Sequence, residues 1–439
     1  MALRVSKRLL RVVFLVISAL GIIGLVLHST NNETALFYVN KAKDAVAQKT
    51  AWNSEAAKQE EEQRKKAEEE SQKGKHLEDV EMDSNAKTLL EDAAAAPPEV
   101  VGEGVKEGKT QKTGGDNKVR AAFVSLVRNQ DLPEILETVQ NLEDRYNSKF
   151  HYPYVFLNNE PFTAEFQNAM RNVVSSNVTF GLIPEPHWSY PDWIDQDKAA
   201  EVRQTAKYIY GDSESYRHMC RYESGFFWRH ELLDDYDWYW RVEPSTKLHC
   251  NVDYDVFKWM QDNNKMYGFT VSIKEFVDTI KTLWSETKEF IHKNPQYVAE
   301  DNMMGFISND KGKTYNLCHF WSNFEVANLN FWRSEAYRDY FDHLDHAGGF
   351  FYERWGDAPV HSIAASLFLS SDQVHYFPDI GYYHAPYNNC PLDQSIWQSG
   401  KCSCEPLHDF SFQPYSCTNE YYDFKKLEKP DGWKKFRND

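Results

Sequence analysis

Short apolar runs alternate with helix-like segments from residue 121 onward, and this alternation restricts the chain to few folds. Residues 121–127, 154–157 and 178–183 each read as a buried strand. Between them, Asp131 can cap one helix with an apolar face, and a second helix starts near Thr163. Strands that alternate with helices predict a parallel sheet that is covered by helices on both faces.

A later strand, at 238–242, ends in two residues that could bind a ligand. Its residues are mostly aromatic and β-branched, Arg241 lies near its end, Glu243 follows it and Pro244 stops it. Ligands of open α/β sheets bind beyond the carboxyl ends of the strands. A carboxylate there can hold a divalent metal, and an arginine beside it can face phosphate oxygens. The alternative is a structural ion pair that closes the strand end.

A metal at Glu243 needs a second protein ligand, and His384 is the candidate. It lies in Ile-Gly-Tyr-Tyr-His-Ala-Pro-Tyr, residues 380–387, directly after a predicted strand at 374–377. A carboxylate and an imidazole, completed by a diphosphate, suit Mn²⁺; a structural loop histidine is the alternative. Literal Asp-x-Asp pairs rank below Glu243, because an acidic chain contains them by chance. These pairs are Asp195 with Asp197, Asp235 with Asp237, and Asp253 with Asp255.

Glu325 lies in a mostly aromatic and apolar run, residues 315–326, where a carboxylate is desolvated and needs a partner or a purpose. Such a residue can attack an oxocarbenium-like centre or stabilise its charge. The alternative is a structural carboxylate that accepts hydrogen bonds from backbone amides. Trp188 and Trp321 can stack on sugar faces, although core packing is the default for either one.

The N-terminal third predicts a membrane anchor and a stem. Residues 12–27 contain no charge and follow a basic segment, so residues 1–11 form a cytoplasmic tail, 12–28 an anchor, and the rest lies across the membrane. A cleaved signal peptide is the alternative. Residues 29–118 are polar, charged and finally rich in Pro and Gly, which indicates a stem. The folded domain is then 119–439.

Composition excludes some functions and indicates a compartment. A net charge of -17 argues against nucleic-acid binding. Neither a dinucleotide fingerprint nor a P-loop is present. All seven cysteines lie between Cys220 and Cys417, so an oxidising lumen would give disulfides with one thiol left over, in a connectivity that the sequence leaves open. Asn32 and Asn177 begin N-glycosylation sequons, which fits a lumenal body.

Six stretches in order carry a resemblance to a known family. They include His-Trp-Ser-Tyr-Pro-Asp-Trp-Ile-Asp, Tyr-Trp-Arg-Val-Glu-Pro and Trp-Gly-Asp-Ala-Pro-Val-His, and they lie at residues 187–195, 215–227, 239–244, 315–325, 355–361 and 380–387. Together they resemble the fungal Golgi α-1,2-mannosyltransferases of the KRE/KTR type, glycosyltransferase family fifteen, from about residue 120 to the end. The short anchor and charged stem match that family's layout as well.

The resemblance implies a GT-A type glycosyltransferase fold, a Rossmann-like mixed sheet with helices on both faces. It implies a Golgi type II membrane enzyme that transfers mannose with retention from GDP-mannose to the 2-hydroxyl of a mannose on N- or O-linked glycans, with Mn²⁺. Transfer of mannose phosphate, and a non-catalytic glycan-binding scaffold, are the alternatives. The chain departs from the family pattern at Thr246 and Leu248, which leaves fine acceptor preference open.

The resemblance also assigns roles to individual residues. Glu243 and His384 match the metal ligands, Glu325 the proposed nucleophile, and Tyr216 a tyrosine near the reacting centre. The remaining matches are Arg128 and Asn129 in the donor-binding turn, and Arg241 and Asp357 within the site.

Overall fold

The computed structural model describes residues 118–436. The predicted tail (1–11), anchor (12–28), stem up to residue 117 and the sequon at Asn32 therefore lie outside the described residues. The strands are β1 Ala121–Leu126, β2 Tyr154–Asn158, β3 Val178–Leu182, β4 Trp238–Arg241, β5 Lys247–Leu248, β6 Tyr267–Phe269, β7 Ser272–Lys274, β8 Cys318–Phe320, β9 Val326–Asn328, β10 Val374–Tyr376, β11 Tyr382–His384 and β12 Tyr387–Asn389.

The longer helices of the same region mostly cover the main sheet. They are α1 Leu132–Leu142, α2 Ala164–Val173, α3 Gln196–Thr205, α4 Glu214–Gly225, α5 Val256–Asp262, α6 Leu283–Lys293, α7 Glu335–Ala347, α8 Asp357–Phe368, α9 Gln394–Ser399 and α10 Thr418–Lys425. Short helical turns occur at Ser148–Phe150, Met304–Ile307, Leu329–Trp332 and Gly349–Tyr352. Within residues 118–436, none of the helices is both long enough and apolar enough to cross a bilayer.

The main sheet has seven strands in the order β10-β6-β9-β4-β1-β2-β3. β1 pairs in parallel with β2 and β4, as the alternation of strands and helices predicted. β9 runs antiparallel to both β4 and β6, so the sheet is mixed. Its two faces bury separate cores, because successive side chains of a strand point to opposite faces. Phe123 packs in one core with α1 and α2, while Ala122 and Val124 pack in the other with α4, α7 and α8.

One predicted helix begins later than its sequence pattern indicates. The pattern predicts a helix over 275–292, but α6 begins only at Leu283. The backbone amide and hydroxyl of Thr282 both donate to the carboxylate of Glu353. This distant carboxylate fixes the start of the helix, a contact that local sequence cannot reveal. The preceding segment, with exposed Phe276 and Val277, forms part of a cavity rim.

Three disulfides stabilise the C-terminal part of the chain. Cys318 pairs with Cys417, while the other two bridges are Cys250–Cys402 and Cys390–Cys404. Cys220 is the one free thiol and is buried. The expectation of disulfides with one cysteine left over is therefore confirmed, and the structure supplies the connectivity.

Candidate functional site

A cavity of about 540 Å³ opens beside the end of β4. Arg241 closes that strand, Tyr216 comes from α4, Asp357 is the first residue of α8, and His384 is the last residue of β11. Glu243 follows β4, and all five side chains line the cavity. The structure thus brings together five predicted site residues that are as much as 168 positions apart in the sequence.

Arg241 is held by carboxylates on two sides. Its Nε and Nη2 each lie 2.6 Å from Oε1 of Glu243, and its Nη1 lies 2.5 Å from Oδ2 of Asp357. Ser322 Oγ donates to the same Asp357 oxygen at 2.7 Å, and Glu223 Oε2 lies 3.8 Å from Nη1. These bonds fix the planar guanidinium at the base of the cavity.

The charges of this cluster follow from burial and proximity. Burial lowers the pKa of Arg241, but the neighbouring carboxylates, Glu223 first, outweigh it and raise that pKa well above its ordinary value. Burial raises the pKa of Asp357, yet Arg241 and then His361 outweigh it, so the pKa is lowered. Burial raises the pKa of Glu223 to about 8, although Arg241 opposes the shift. Arg241 and Asp357 are therefore an ion pair, while Glu223 is mostly protonated at neutral pH.

Glu243 and His384 each keep one atom available for a metal ion. Both contacts from Arg241 fall on Oε1 of Glu243, which leaves Oε2 as the potential ligand atom. Nδ1 of His384 lies 3.1 Å from the carbonyl oxygen of Ala385. A carbonyl only accepts, so Nδ1 donates this bond and Nε2 is the ring nitrogen left for a metal. Across residues 118–436, no three His, Cys, Asp or Glu side chains converge as a complete metal site, so ligand oxygens would have to complete the coordination.

Tyr216 and Arg354 form a second polar group in the cavity. The Tyr216 ring stacks on Tyr210 at 4.5 Å, and the Arg354 guanidinium lies 5.3 Å from its centroid. Burial raises the pKa of Tyr216 well above its usual value, so the hydroxyl stays a hydrogen-bond donor. Sequence reasoning missed Arg354, whose buried Nε has no hydrogen-bond partner among the described residues. Its place directly before Trp355-Gly356-Asp357 was the available signal.

Arg128 and Asn129 do not line this cavity. Arg128 contacts the hydroxyl of Ser215, the residue before Tyr216. Asn129 donates to the Pro161 carbonyl at 3.0 Å and accepts from the Thr163 amide at 2.9 Å, which fixes the loop after β2. Their role in donor binding stays a prediction.

Glu325 is fully buried and does not line the cavity. Its carboxylate accepts from the hydroxyls of Tyr239 and Tyr267, and Nδ1 of His361 lies 2.9 Å away. Nε2 of His361 lies 3.1 Å from the Glu223 carbonyl oxygen. Burial lowers the pKa of His361, but Glu325 outweighs it and the net shift is upward, so both ring nitrogens can donate. The partners of Glu325 are side chains, not backbone amides, and its role as nucleophile stays a prediction.

Of the remaining candidates, one lines this cavity, one lines a different cavity, and the aspartates make structural contacts. Trp321 lines the cavity, with its ring 4.9 Å from His384, whereas Trp188 lines a different cavity. The Asp-x-Asp pairs contribute to structure. Asp195 and Asp255 each cap a helix, and Asp237 pairs with Arg120.

Solved structures with this architecture define the class of the chain. Core-mannan synthase A of Aspergillus fumigatus, in its Mn/GDP form, superposes with a TM-score of 0.67 and is 40% identical, covering 76% of this chain and 95% of its own. The mannosyltransferase Ktr4p of S. cerevisiae, in complex with GDP, has a TM-score of 0.66 and 34% identity, over 81% and 95% of the two chains. The chain is a glycosyltransferase.

Sequence comparison gives the family. The family model described as glycolipid 2-alpha-mannosyltransferase matches residues 42–426. A glycolipid 2-alpha-mannosyltransferase of Saccharomyces cerevisiae is 55% identical over 444 residues, covering 100% of both chains. Glycolipid 2-alpha-mannosyltransferase 1 of Candida albicans is 60% identical over 324 residues, 73% of this chain and 75% of that one. The chain belongs to this family of α-1,2-mannosyltransferases, which confirms the resemblance drawn from its motifs.

Proposed function

We propose that the chain transfers mannose from GDP-mannose, with retention, to the 2-hydroxyl of a mannose on an N- or O-linked glycan, on a GT-A fold. The observation that carries the proposal is the convergence of Glu243, His384, Arg241 and Tyr216 on one cavity beside the end of β4. Ligands of α/β sheets bind at such strand ends. The Mn/GDP and GDP forms of the solved relatives support a guanine nucleotide donor.

Glu243 Oε2 and His384 Nε2 would hold Mn²⁺, a metal suited to mixed carboxylate and imidazole ligands. When bound, the metal would neutralise charge on the departing diphosphate. The contacts of Arg241 with Glu243 and of Ala385 with His384 orient these ligands, as hydrogen-bonded neighbours of metal ligands do.

The chain's own cations and hydroxyls would position the two substrates. Arg354 also lines the cavity, and its Nη2 lies 3.9 Å from Oε1 of Glu275, so its guanidinium would face phosphate oxygens. The Tyr216 hydroxyl would donate to a phosphate oxygen or orient the incoming hydroxyl. Trp321 would offer a ring to the sugar. Asp357 would keep Arg241 in place.

Glu325 would act by charge and not by contact. It raises the pKa of Arg241, so its field reaches the base of the cavity although its side chain does not. Of the two roles that the sequence leaves open, stabilising positive charge suits a fully buried carboxylate better than attack does. Departure of GDP and attack by the acceptor hydroxyl on the same face of the sugar would then account for retention of the anomeric configuration.

The proposed location is the Golgi membrane, with a type II anchor at residues 12–28 and the catalytic domain in the lumen. Three disulfides support an oxidising compartment. The sequon asparagine Asn177 is exposed directly before β3, where an oligosaccharide can be attached.

A transfer assay tests this function. Purified full-length chain is incubated with GDP-mannose and α-methyl mannoside, with Mn²⁺ or with EDTA, and the product is analysed by mass and linkage. We expect an α-1,2-linked disaccharide only with Mn²⁺. A product heavier by a phosphate would indicate mannose-phosphate transfer. Absence of both product and metal-dependent GDP release would indicate a non-catalytic glycan-binding scaffold.

A further inference from the structure

The cavity beside the end of β4, where the proposed transfer would occur, is called the reacting cavity below. A second cavity, of about 800 Å³, lies on the opposite side of α4 from it. The two cavities share no lining residue. On α4, Glu214, His218 and Arg221 line the second cavity, while Tyr216 and Met219 line the first. These spacings place the two sets on different faces of one helix. We call the second cavity the distal groove, bounded by residues 185–196, α4 and α7.

Trp193 gives the distal groove an exposed aromatic surface of fixed orientation. The residue is 46% exposed, the largest exposure of any tryptophan within residues 118–436. Its Nε1 donates to the Asp345 carbonyl at 2.9 Å, and its ring stacks on His346 at 4.2 Å with the planes 10° apart. Since one face is covered and rotation is prevented, the other face is already oriented for a ligand. An aromatic face of this kind binds the apolar face of a pyranose at little conformational cost.

Two of the histidines that line the groove each have one buried ring nitrogen without a hydrogen-bond partner among the described residues. His218 is only 6% exposed, and its Nδ1 has no partner among the described residues. Nδ1 of His187 is likewise buried without a partner. Burial lowers the pKa of both imidazoles, so both are neutral near pH 7. The two neutral imidazoles therefore add no positive charge to the groove.

The charge of the groove distinguishes a glycan from a nucleotide. Five carboxylates line it, from Glu185, Asp192, Glu214, Asp342 and Asp345, against the cations Arg221 and Arg229. Arg221 is already engaged by Asp345 in a buried bidentate pair of 2.7 and 2.8 Å. The excess of negative charge disfavours a diphosphate. Neutral polyhydroxyl ligands suffer no such repulsion, and carboxylates accept hydrogen bonds from their hydroxyls.

We propose that the distal groove is a second carbohydrate-binding site, which holds a neutral mannose-containing oligosaccharide apart from the sugar that reacts. The proposal rests on the proposed function for the identity of the sugar. The groove would retain longer glycans on the enzyme and would leave transfer to a monosaccharide acceptor unaffected.

Trp193→Ala in the purified full-length chain tests the groove, with Leu427→Ala as the matched control, because Leu427 is 47% exposed and lines neither cavity. Calorimetric titration with linear α-linked mannotetraose, without donor, measures binding. Initial rates with the tetraose and with α-methyl mannoside give the two values of KM. We expect Trp193→Ala to weaken tetraose binding and to raise its KM by about 3- to 10-fold, the effect of one lost stacking contact. The rates with α-methyl mannoside, and the control variant, should match wild type.

Wild-type binding and use of the tetraose by Trp193→Ala would overturn the proposal. Equal losses with both acceptors would also overturn it, because they would assign Trp193 to the reacting cavity or to folding. Should Trp193→Ala fail to fold by circular dichroism, exposed His346→Ala takes its place under the same criteria, since His346 supports the ring. If the chain transfers no mannose, the proposed function fails, while the tetraose titration still decides the fate of the groove.

Discussion

Arg241 shows how single residues determine the chemistry of the reacting cavity. It is buried in the base of the cavity and contacts Glu243 and Asp357, with Glu223 nearby. A buried arginine is stable only when such partners surround it. The same contacts orient one proposed metal ligand, so the ion pairs that stabilise the fold also prepare the site. Changes to the partners should therefore affect stability and activity together.

Glu325→Gln should lower the free energy of unfolding by about 3 kcal/mol, because it leaves the His361 imidazolium buried without its counter-ion. Mannose transfer should fall more than GDP affinity does, since the proposed stabilisation of positive charge by Glu325 is lost. Urea unfolding, transfer rates and GDP titration check the three quantities. Loss of transfer with an unchanged free energy of unfolding would show that Glu325 reacts directly and is not a buried counter-ion.

Glu223→Gln should remove part of the pH dependence of stability. The folded-state pKa of Glu223 is raised to about 8, whereas an unfolded glutamate titrates near its model value of 4.5. Between these values the folded chain holds a proton that the unfolded chain has lost, so stability decreases as pH rises through this window. The variant should lack a slope of about 1.4 kcal/mol per pH unit near pH 6. Urea unfolding between pH 4.5 and 8 measures both slopes, and identical slopes would contradict the assignment.

Among the secondary-structure elements, α4 lies between the two cavities and contributes side chains to both. One of its faces carries Tyr216 toward the reacting cavity and another carries His218 toward the distal groove. Its last residue, Gly225, packs against the ring of Phe341 on α7. This close approach requires glycine, because a Cβ at that position would lie 2.0 Å from Cζ of Phe341. The position of α4, and with it both cavities, depends on that contact.

Gly225→Ala should destabilise the chain by about 2 kcal/mol through overpacking, even though alanine favours helix by about 1 kcal/mol. Adding Phe341→Leu should recover part of the loss, because a smaller side chain makes room for the new methyl group. Urea unfolding of the single and double variants measures both effects. An unchanged midpoint in Gly225→Ala would show that α4 and α7 can separate freely.

The elements that could be predicted from sequence were those with a strong local pattern. The buried runs that became β1, β2 and β4 are apolar and short, and their parallel pairing follows from the intervening helices. The start of α6 could not be predicted, because Glu353 binds Thr282 from a distant part of the chain. Within the site, too, contacts between distant parts of the chain could not be predicted from local sequence.

Residue types suggested Glu243 and His384, but their common cavity depends on tertiary structure. Arg354 directly precedes the motif at 355–361 and Glu223 lies inside the motif at 215–227, but neither position reveals a role without the tertiary contacts. Glu325 was recognisable as a desolvated carboxylate, yet its partners Tyr239, Tyr267 and His361 come from three other elements.

For the folded region from 118 to 436, the reacting cavity depends on two sheets, because β4 belongs to the seven-stranded mixed sheet and β11 to a three-stranded sheet with β12 and β5. Its residues come from α4, β4, α8 and β11, and the insertion of antiparallel β9 beside β4 places the residues around Glu325 under Arg241. The disulfide between Cys318 and Cys417 ties β8 to α10, and the other two fasten the C-terminal loops near β11 and β12. The site is thus held by covalent bonds, by a buried ion network and by two packed cores.

The central claim is that Glu243 and His384 hold a metal ion together with the nucleotide diphosphate. Calorimetric titration of the purified chain with GDP, with Mn²⁺ and with EDTA, tests it directly in wild type, Glu243→Ala, His384→Ala and the control Asp253→Ala, whose side chain is exposed. We predict that Mn²⁺ tightens GDP binding at least about tenfold in wild type and in the control. Both ligand variants should lose that increase. His384→Ala should keep the wild-type unfolding midpoint, whereas Glu243→Ala should lower it, because it removes one partner of buried Arg241. The same Mn²⁺-dependent gain in both ligand variants would contradict the claim.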